Sequence, residues 1–541
     1  MANGFKKVTE RFASTKLSIK MAALVLSGST LISALLGLFR DRLLNGYYLD
    51  TYPTGIDAYT AAFTIPDFMF FILVSGALSV TFIPVFNQRL VAGNKKSAWE
   101  LSSSILNLMA IVTLVASVLI IIFAEPLVRY VVGPGFDEAT RALAVSMMRV
   151  IAVNPFLFAI STVLASMQQA VGRFVFYALA PAIYNIGIII GTVFFTSGIN
   201  IFGWQIFEGG IMGVALGVVL GSVMQFVVSV IGIIGMGFDY QFKIFWKNLG
   251  VRTVLKLLPA RSMDQGIDYV NGIVEINLAS HMASGTVRAY QQALTLHMMP
   301  INLIGVAIST AFFPKLTESV GEGKEAAFEK DLRLALRMIV WIALPVSVMF
   351  YFMRGYIVNF IKNGGDVLIA GILGALIVSI FCRSIFHIAS RGFYAHQDTK
   401  TPFKISIFAI GLNILLAILF TMVFKMGAYG LAYGQSIGAA IEIAILLFIL
   451  GHRNKRLFNP EFWGAIVRMT VAAAIAGVVT YIFTRLMPLE ASDQSFFASF
   501  PKFIIIGCVG ALGYVVAGFA LQLGETKSAI VWIKQRLFKK V

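Results

Sequence analysis

The sequence predicts an all-α integral membrane protein of about fourteen transmembrane helices, in two six-helix lobes plus a C-terminal helix pair. Three observations point there: the apolar composition, the distribution of positive charge, and two internal echoes. Of 541 residues, 58% are hydrophobic and 13% charged. Long apolar runs recur from Met21 to Leu523 with short polar breaks, and a helix needs ~20 residues to cross a bilayer. Length and flanking charge, rather than periodicity, separate the spans. They fall near 21–47, 56–88, 99–124, 138–167, 174–197, 207–236, 253–282 and 285–313. The series continues with 330–353, 366–394, 403–424, 427–451, 462–485 and 499–522.

The net charge of +17 is topological. With the N-terminus inside, most of the 43 lysines and arginines fall in the termini and the even-numbered loops. Lys6, Lys7 and Arg11 begin this series, followed by Arg89, Lys95 and Lys96, then Lys243, Lys247 and Arg252. That is the positive-inside pattern, with both termini cytoplasmic, and it argues against a nucleic-acid partner. The expected location is a cytoplasmic (inner) membrane, crossed many times. The basic N-terminus, 1–20, leads into a full-length span without a small-residue cleavage site, so no cleavable signal peptide is expected. The tail, 523–541, reads as a basic amphipathic helix lying on the inner leaflet. Cys382 and Cys508 fall inside spans and suggest neither a disulfide framework nor a metal site. No Walker loop, nucleophile elbow or HExxH pattern is present, so the expectation is a transporter with no cofactor rather than an enzyme.

The echoes divide the chain. GALSVTFIPVF ends the second span and GVAISTAFFPKL the eighth; aligned on Pro84 and Pro314, Ala77 matches Ala307, Ser79 matches Ser309 and Phe82 matches Phe312. A second echo ends on Asn185 and Asn413. Six spans separate the members of each pair, which suggests repeated halves. The expected organisation is an N-lobe at 21–236, a cytoplasmic linker at 237–252, a C-lobe at 253–451, and the added spans at 462–522.

Ionisable residues within spans are costly and usually face a bundle interior or a watery cavity. The first hairpin carries Arg40, Asp41 and Arg42 at the end of one span and Asp57 at the start of the next, with Pro66 and Pro84 following. Two readings stand: a polar lining, or arginines that snorkel to the outer interface. In the seventh span Arg261, Asp264, Asp268 and Glu275 fall within about 60° of arc at ~100° per residue. Arg261 can bridge Asp264, which leaves Asp268 and Glu275 without partners on their own helix, so this stripe is expected to form a cavity wall. Arg288 opens the eighth span, facing a headgroup or snorkelling outward. Arg383, His387 and Arg391 recur at four-residue steps in the tenth span, as a candidate proton-sensitive gate or as satisfied core residues.

GLFRD, IDAYTAAFTIPD, GALSVTFIPVF, QAVGRFVFYALAPAIYNIGIIIG, GVAISTAFFP and GFYAHQDTKTP, in this order, closely resemble the MurJ (MviN) lipid II flippases. That family shares a superfamily with the MATE exporters. The resemblance implies two lobes around a central cationic cavity that binds a lipid-linked diphosphate and opens alternately to each side. Of the family's four cavity-arginine positions, Arg40 is retained, while the others fall on Ala34, the pair Phe70 and Phe71, and Thr295. The implied activity is flipping of a lipid-linked cell-wall precursor, lipid II in the first instance, driven by the membrane potential or a monovalent ion. The alternatives are another undecaprenyl-diphosphate-linked glycan, a MATE-like cation-coupled export, and a non-transporting scaffold. Expected partners are the lipid-linked diphosphate glycan, membrane lipids and cell-wall synthesis enzymes, with the chain itself a monomer.

Overall fold

The computed structural model describes residues 19–201, 204–490 and 492–538, without the side chains at 19–24, 75–80, 201, 204, 257–268 and 532–538. Among the described residues, eleven helices are long and apolar enough to cross a membrane. A bent pair, Val367–Ala375 and Ile377–Ala395, meets at 45° and raises the number to twelve when taken as one span. Two further helices, Ile19–Tyr48 and Leu249–Ser280, have 30 and 32 residues, and both carry ionisable side chains within an otherwise apolar run. The chain is thus an all-α membrane protein with one local exception. Ile199–Ile201 and Trp204–Phe207 pair as a small antiparallel hairpin, framed by Gly198, Gly209 and Gly210 at positive φ.

Helix starts follow local chemistry. Asn94, Asp137, Asn248, Asp366, Asn459 and Ser495 each accept a backbone N–H of the first turn through the side chain. Such caps satisfy donors that the helix cannot pair itself. The sequence echo also has a structural counterpart. Helices Gly76–Val91 and Ala307–Gly321 each enclose a proline, Pro84 and Pro314, and each is preceded by a π-helical segment, Phe71–Ser75 and Ile301–Val306. Ile301 follows Phe71 by the same offset at which Pro314 follows Pro84. Wide turns of this kind inside α-helices commonly mark functional positions.

The chain divides into two compact units, up to Arg288 and from Ala289 on. In the first, a core of Phe82, Phe86, Leu101, Ile105, Val163 and Met167 joins the helices around Lys95–Leu127. Helices Val175–Phe194 and Met212–Ile233 approach backbone to backbone: a Cβ on Gly187 would lie 2.2 Å from the Gly221 Cα, and one on Gly191 2.3 Å from the Gly217 Cα. Small residues at four-residue spacing allow this approach where lipid offers no hydrophobic drive. In the second unit, Phe328, Leu332, Leu336, Ile388, Phe393, Leu446 and Met469 form the core. The helix Gly524–Phe538 joins that unit at its start, where Glu525 pairs with Arg337 and the Trp341 indole donates to Thr526.

Candidate functional site

In the first unit, three helices converge on charged side chains. Asp41 and Asn45 lie four residues apart on one face of Ile19–Tyr48, with Arg40 beside them. The Arg40 Nε and Nη2 donate to Asp41 Oδ1 at 3.3 and 3.0 Å, and its Nη1 donates to Asn185 Oδ1 at 3.0 Å. Asn185 is itself fixed, its amide donating to the Ser33 and Pro181 carbonyls. Arg288 enters from Thr286–Pro300, its Nη2 3.1 Å from the same Asp41 oxygen and its Nε 2.9 Å from Asn45 Oδ1. Asp57, from Pro53–Ala62, caps that same helix. Its two oxygens accept the Gly285 N–H at 2.6 Å and the Arg288 N–H at 2.8 Å. Gly285 makes this turn at φ +89°, a conformation that suits glycine. A carboxylate at a helix N-terminus also complements the positive end of its dipole.

The arginines are not equivalent. The Arg288 side chain keeps 6% of its surface accessible, whereas Arg40 keeps 25%. Arg288 is buried against its partners; Arg40 is held in place by Asp41 and Asn185 while a quarter of its side chain stays accessible. Planar guanidinium forks suit bidentate phosphate contacts. The structure therefore brings Arg40, Asp41, Asp57 and Arg288 together within one unit, and it buries Arg288 rather than letting it snorkel. Arg42 follows on the same helix, half-buried.

The other expected positions lie elsewhere. Helix Leu249–Ser280 runs through the stripe, but the Arg261, Asp264 and Asp268 side chains lie outside the described residues. Glu275 is buried and accepts from Asn271 Nδ2 at 2.9 Å. The expectation that Glu275 has no partner on its own helix is therefore corrected: Asn271 stands one turn back, at i−4, within reach. Arg383, His387 and Arg391 belong to the second unit. Arg383 lies 3.8 Å from the buried Glu442, Arg391 donates to Thr310 at 2.8 Å, and His387 packs beside Gly305. The same unit holds a cavity of about 360 Å³ lined by Glu325, Glu329, His396 and Arg453. At its edge the Asp398 carboxyl accepts from Thr401 and from Arg453, and these bonds, with the Thr401 hydroxyl the strongest influence, hold it down to about 2.

Sequence reading missed four residues: Asn45, Asn185, Glu442 and Asp67. Asn185 ended a noted echo without a role being assigned to it. Glu442 and Asp67 are carboxyls in apolar spans, the very signal that singled out Asp57.

Long apolar helices, half-helical breaks and internally paired charges define a polytopic membrane transport protein. The family model described as lipid II flippase MurJ matches residues 53–500, so the chain belongs to that family. It is 27% identical over 395 residues to a probable lipid II flippase MurJ of Buchnera aphidicola subsp. Acyrthosiphon pisum, covering 72% of this chain and 75% of that protein. A second relative with the same description, from Buchnera aphidicola subsp. Baizongia pistaciae, is 26% identical over 522 residues and covers 94% and 98%. Among solved structures, a lipid II flippase MurJ in an inward closed conformation superposes with a TM-score of 0.73 at 25% identity, covering 92% of this chain and 98% of that one. An inward-facing multidrug resistance MATE transporter shares the fold, with a TM-score of 0.65 at 18% identity, covering 81% and 98%.

Proposed function

We propose that this protein flips a lipid-linked cell-wall precursor from the cytoplasmic to the outer leaflet by alternating access, with lipid II as the substrate its family implies. The observation that carries this reading is Arg40: a guanidinium fixed by Asp41 and Asn185 and still 25% accessible. A diphosphate cannot cross hydrocarbon uncompensated, because desolvating such charge costs many kcal/mol. Arg40 supplies part of that compensation, and Asp41 holds the fork when no ligand is present. Arg288 and Asp57 act as the brace behind it, tying three helices together. The proposed membrane arrangement counts Ile19–Tyr48 and Leu249–Ser280 as spans, which gives fourteen, with both termini cytoplasmic and two six-helix lobes followed by a helix pair. Each elementary negative charge moved outward gains ~2.3 kcal/mol per 100 mV at an inside-negative membrane, a sufficient bias for cycling without nucleotide.

A second reading, a different undecaprenyl-diphosphate-linked glycan, is favoured by one observation. Phe70 and Phe71 take the place of the arginine pair expected from the family, and the Phe71 ring stacks on Tyr269 at 4.3 Å. The test is rescue of a bacterium depleted of its own lipid II flippase. Rescue by the wild type but not by a membrane-inserted Arg40→Ala variant is expected. Failure of the wild type, with the lipid accumulating inside, assigns another glycan.

A further inference from the structure

Asp67 has no role in the network just described, and its surroundings are unusual for a carboxyl. It stands in Thr64–Phe70, in the middle of the second span. Its side chain is half-buried within the span. Among the described residues, no hydrogen bond or ion pair reaches its side chain. Phe63 and Phe71 stand four residues before and after Asp67, about one turn away on either side, and Tyr59 stands four residues before Phe63. Three of these four positions are aromatic. Tyr59 meets Phe63 edge-on at 5.1 Å, and Phe71 is covered by Tyr269. Tyr59 and Tyr184 each lie within electrostatic range of both Asp67 and Arg40, so the carboxyl and the arginine border the same region of this unit.

We infer that Asp67, with the aromatic residues flanking it, is a binding site for an organic ammonium group carried by the transported lipid-linked glycan. A carboxylate without a partner among the described residues, with aromatic residues one turn away on either side, is the chemistry that receives such a cation, through a charge-assisted hydrogen bond and cation–π attraction. A hard inorganic cation is a poorer occupant, because it requires a shell of several oxygens and, among the described residues, Asp67 is flanked by Phe63 and Phe71. The substrate then bears an amine as well as its diphosphate, held by Asp67 and Arg40 respectively. An isolated buried carboxylate costs several kcal/mol, and an incoming ammonium offsets that cost only when bound. This assignment deepens the lipid-diphosphate reading and rests on it.

The test uses the full chain in nanodiscs and two synthetic polyprenyl-diphosphate sugars that differ only in a primary amine against an acetamide. Wild type should bind the amine probe about tenfold more tightly, the gain of one charge-assisted contact. Asp67→Asn, nearly isosteric, should lose that preference by weakening the amine probe alone, and Asp67→Glu should recover part of it. Equal binding of both probes by wild type, or an amine preference that survives Asp67→Asn, overturns the assignment. A separate arm compares thermal protection by an alkylammonium salt and by sodium chloride. Protection that depends on Asp67 and favours the ammonium supports the site, and protection by sodium alone overturns it. If neither lipid probe binds while the ammonium arm succeeds, the diphosphate reading fails and the amine site stands.

Discussion

Asp41 and Glu442 are both carboxylates with 3% of their side-chain surface exposed, one in each unit, and they keep different company. Asp41 receives two arginines at 3.0 and 3.1 Å, and each of those arginines has a further asparagine partner. Glu442 receives a hydroxyl from Ser406 at 2.8 Å, while Arg383 stands at 3.8 Å, beyond hydrogen-bond distance. The arginines themselves are almost equally accessible, 25% for Arg40 and 26% for Arg383. What separates them is preorganisation. Arg40 is held by hydrogen bonds to Asp41 and Asn185, whereas among the described residues Arg383 meets Glu442 only at 3.8 Å. Binding energy is used more fully by the group that has little freedom left to lose.

The largest effect should come from removing the shared acceptor. Asp41→Leu leaves Arg40 and Arg288 without their common carboxylate, and breaking a buried ionic network by one partner costs ~3–5 kcal/mol. Glu442→Gln keeps an acceptor for Ser406 and should cost about 1 kcal/mol. Thermal unfolding of the two variants in detergent checks the order, and equal losses would erase the distinction between the units. Next in size, Arg40→Lys keeps the charge but not the fork, and should reduce flipping about tenfold in vesicles. Arg383→Lys should change it by about twofold or less, since among the described residues its guanidinium makes no bidentate contact. A steeper loss at Arg383 would shift the anion contact to the second unit.

How much was legible beforehand divides along the same line. The helices follow from apolar length, and Arg40 with Asp41 stood out because charge in an apolar run needs a reason. The Pro84 and Pro314 echo located two π-helical segments without revealing them, since a wide turn is a matter of hydrogen-bond register rather than of composition. The pairing of Arg288 with Asp41 was not legible, because 247 positions separate them and either could have faced the interface. A stricter use of charge balance would have narrowed the choice: a buried arginine demands a carboxylate from another span, and Asp41 and Asp57 were available. Asp57 as a cap for a distant helix depends on the Gly285 turn, which only three-dimensional proximity discloses.

The smallest effect calibrates the scale. Asp398, between two spans, and Arg453, the last residue of Ala428–Arg453, form a partly exposed pair with 22% and 47% of their side chains accessible. The Asp398 carboxyl is lowered from 3.8 to about 2 by the Thr401 hydroxyl first and then by the Arg453 guanidinium. A lowered folded-state value means that the contribution is complete above pH ~4 and is lost as pH falls through about 2. Solvent screening keeps it below about 1 kcal/mol. Asp398→Asn should therefore lower the unfolding temperature slightly at pH 6 and leave it unchanged near pH 2. A large effect at either pH would place that pair among the buried networks.

Direct binding tests the central claim that Arg40 is the aimed anion contact. Purified wild-type and Arg40→Ala protein, matched for unfolding temperature, would be titrated with a polyprenyl-diphosphate sugar at low and high salt. The account predicts a loss of at least about tenfold in affinity for Arg40→Ala, persisting at high salt because a partly buried contact is weakly screened. Wild-type affinity in a well-folded Arg40→Ala protein would contradict it and leave Arg40 as a structural partner of Asp41 and Asn185.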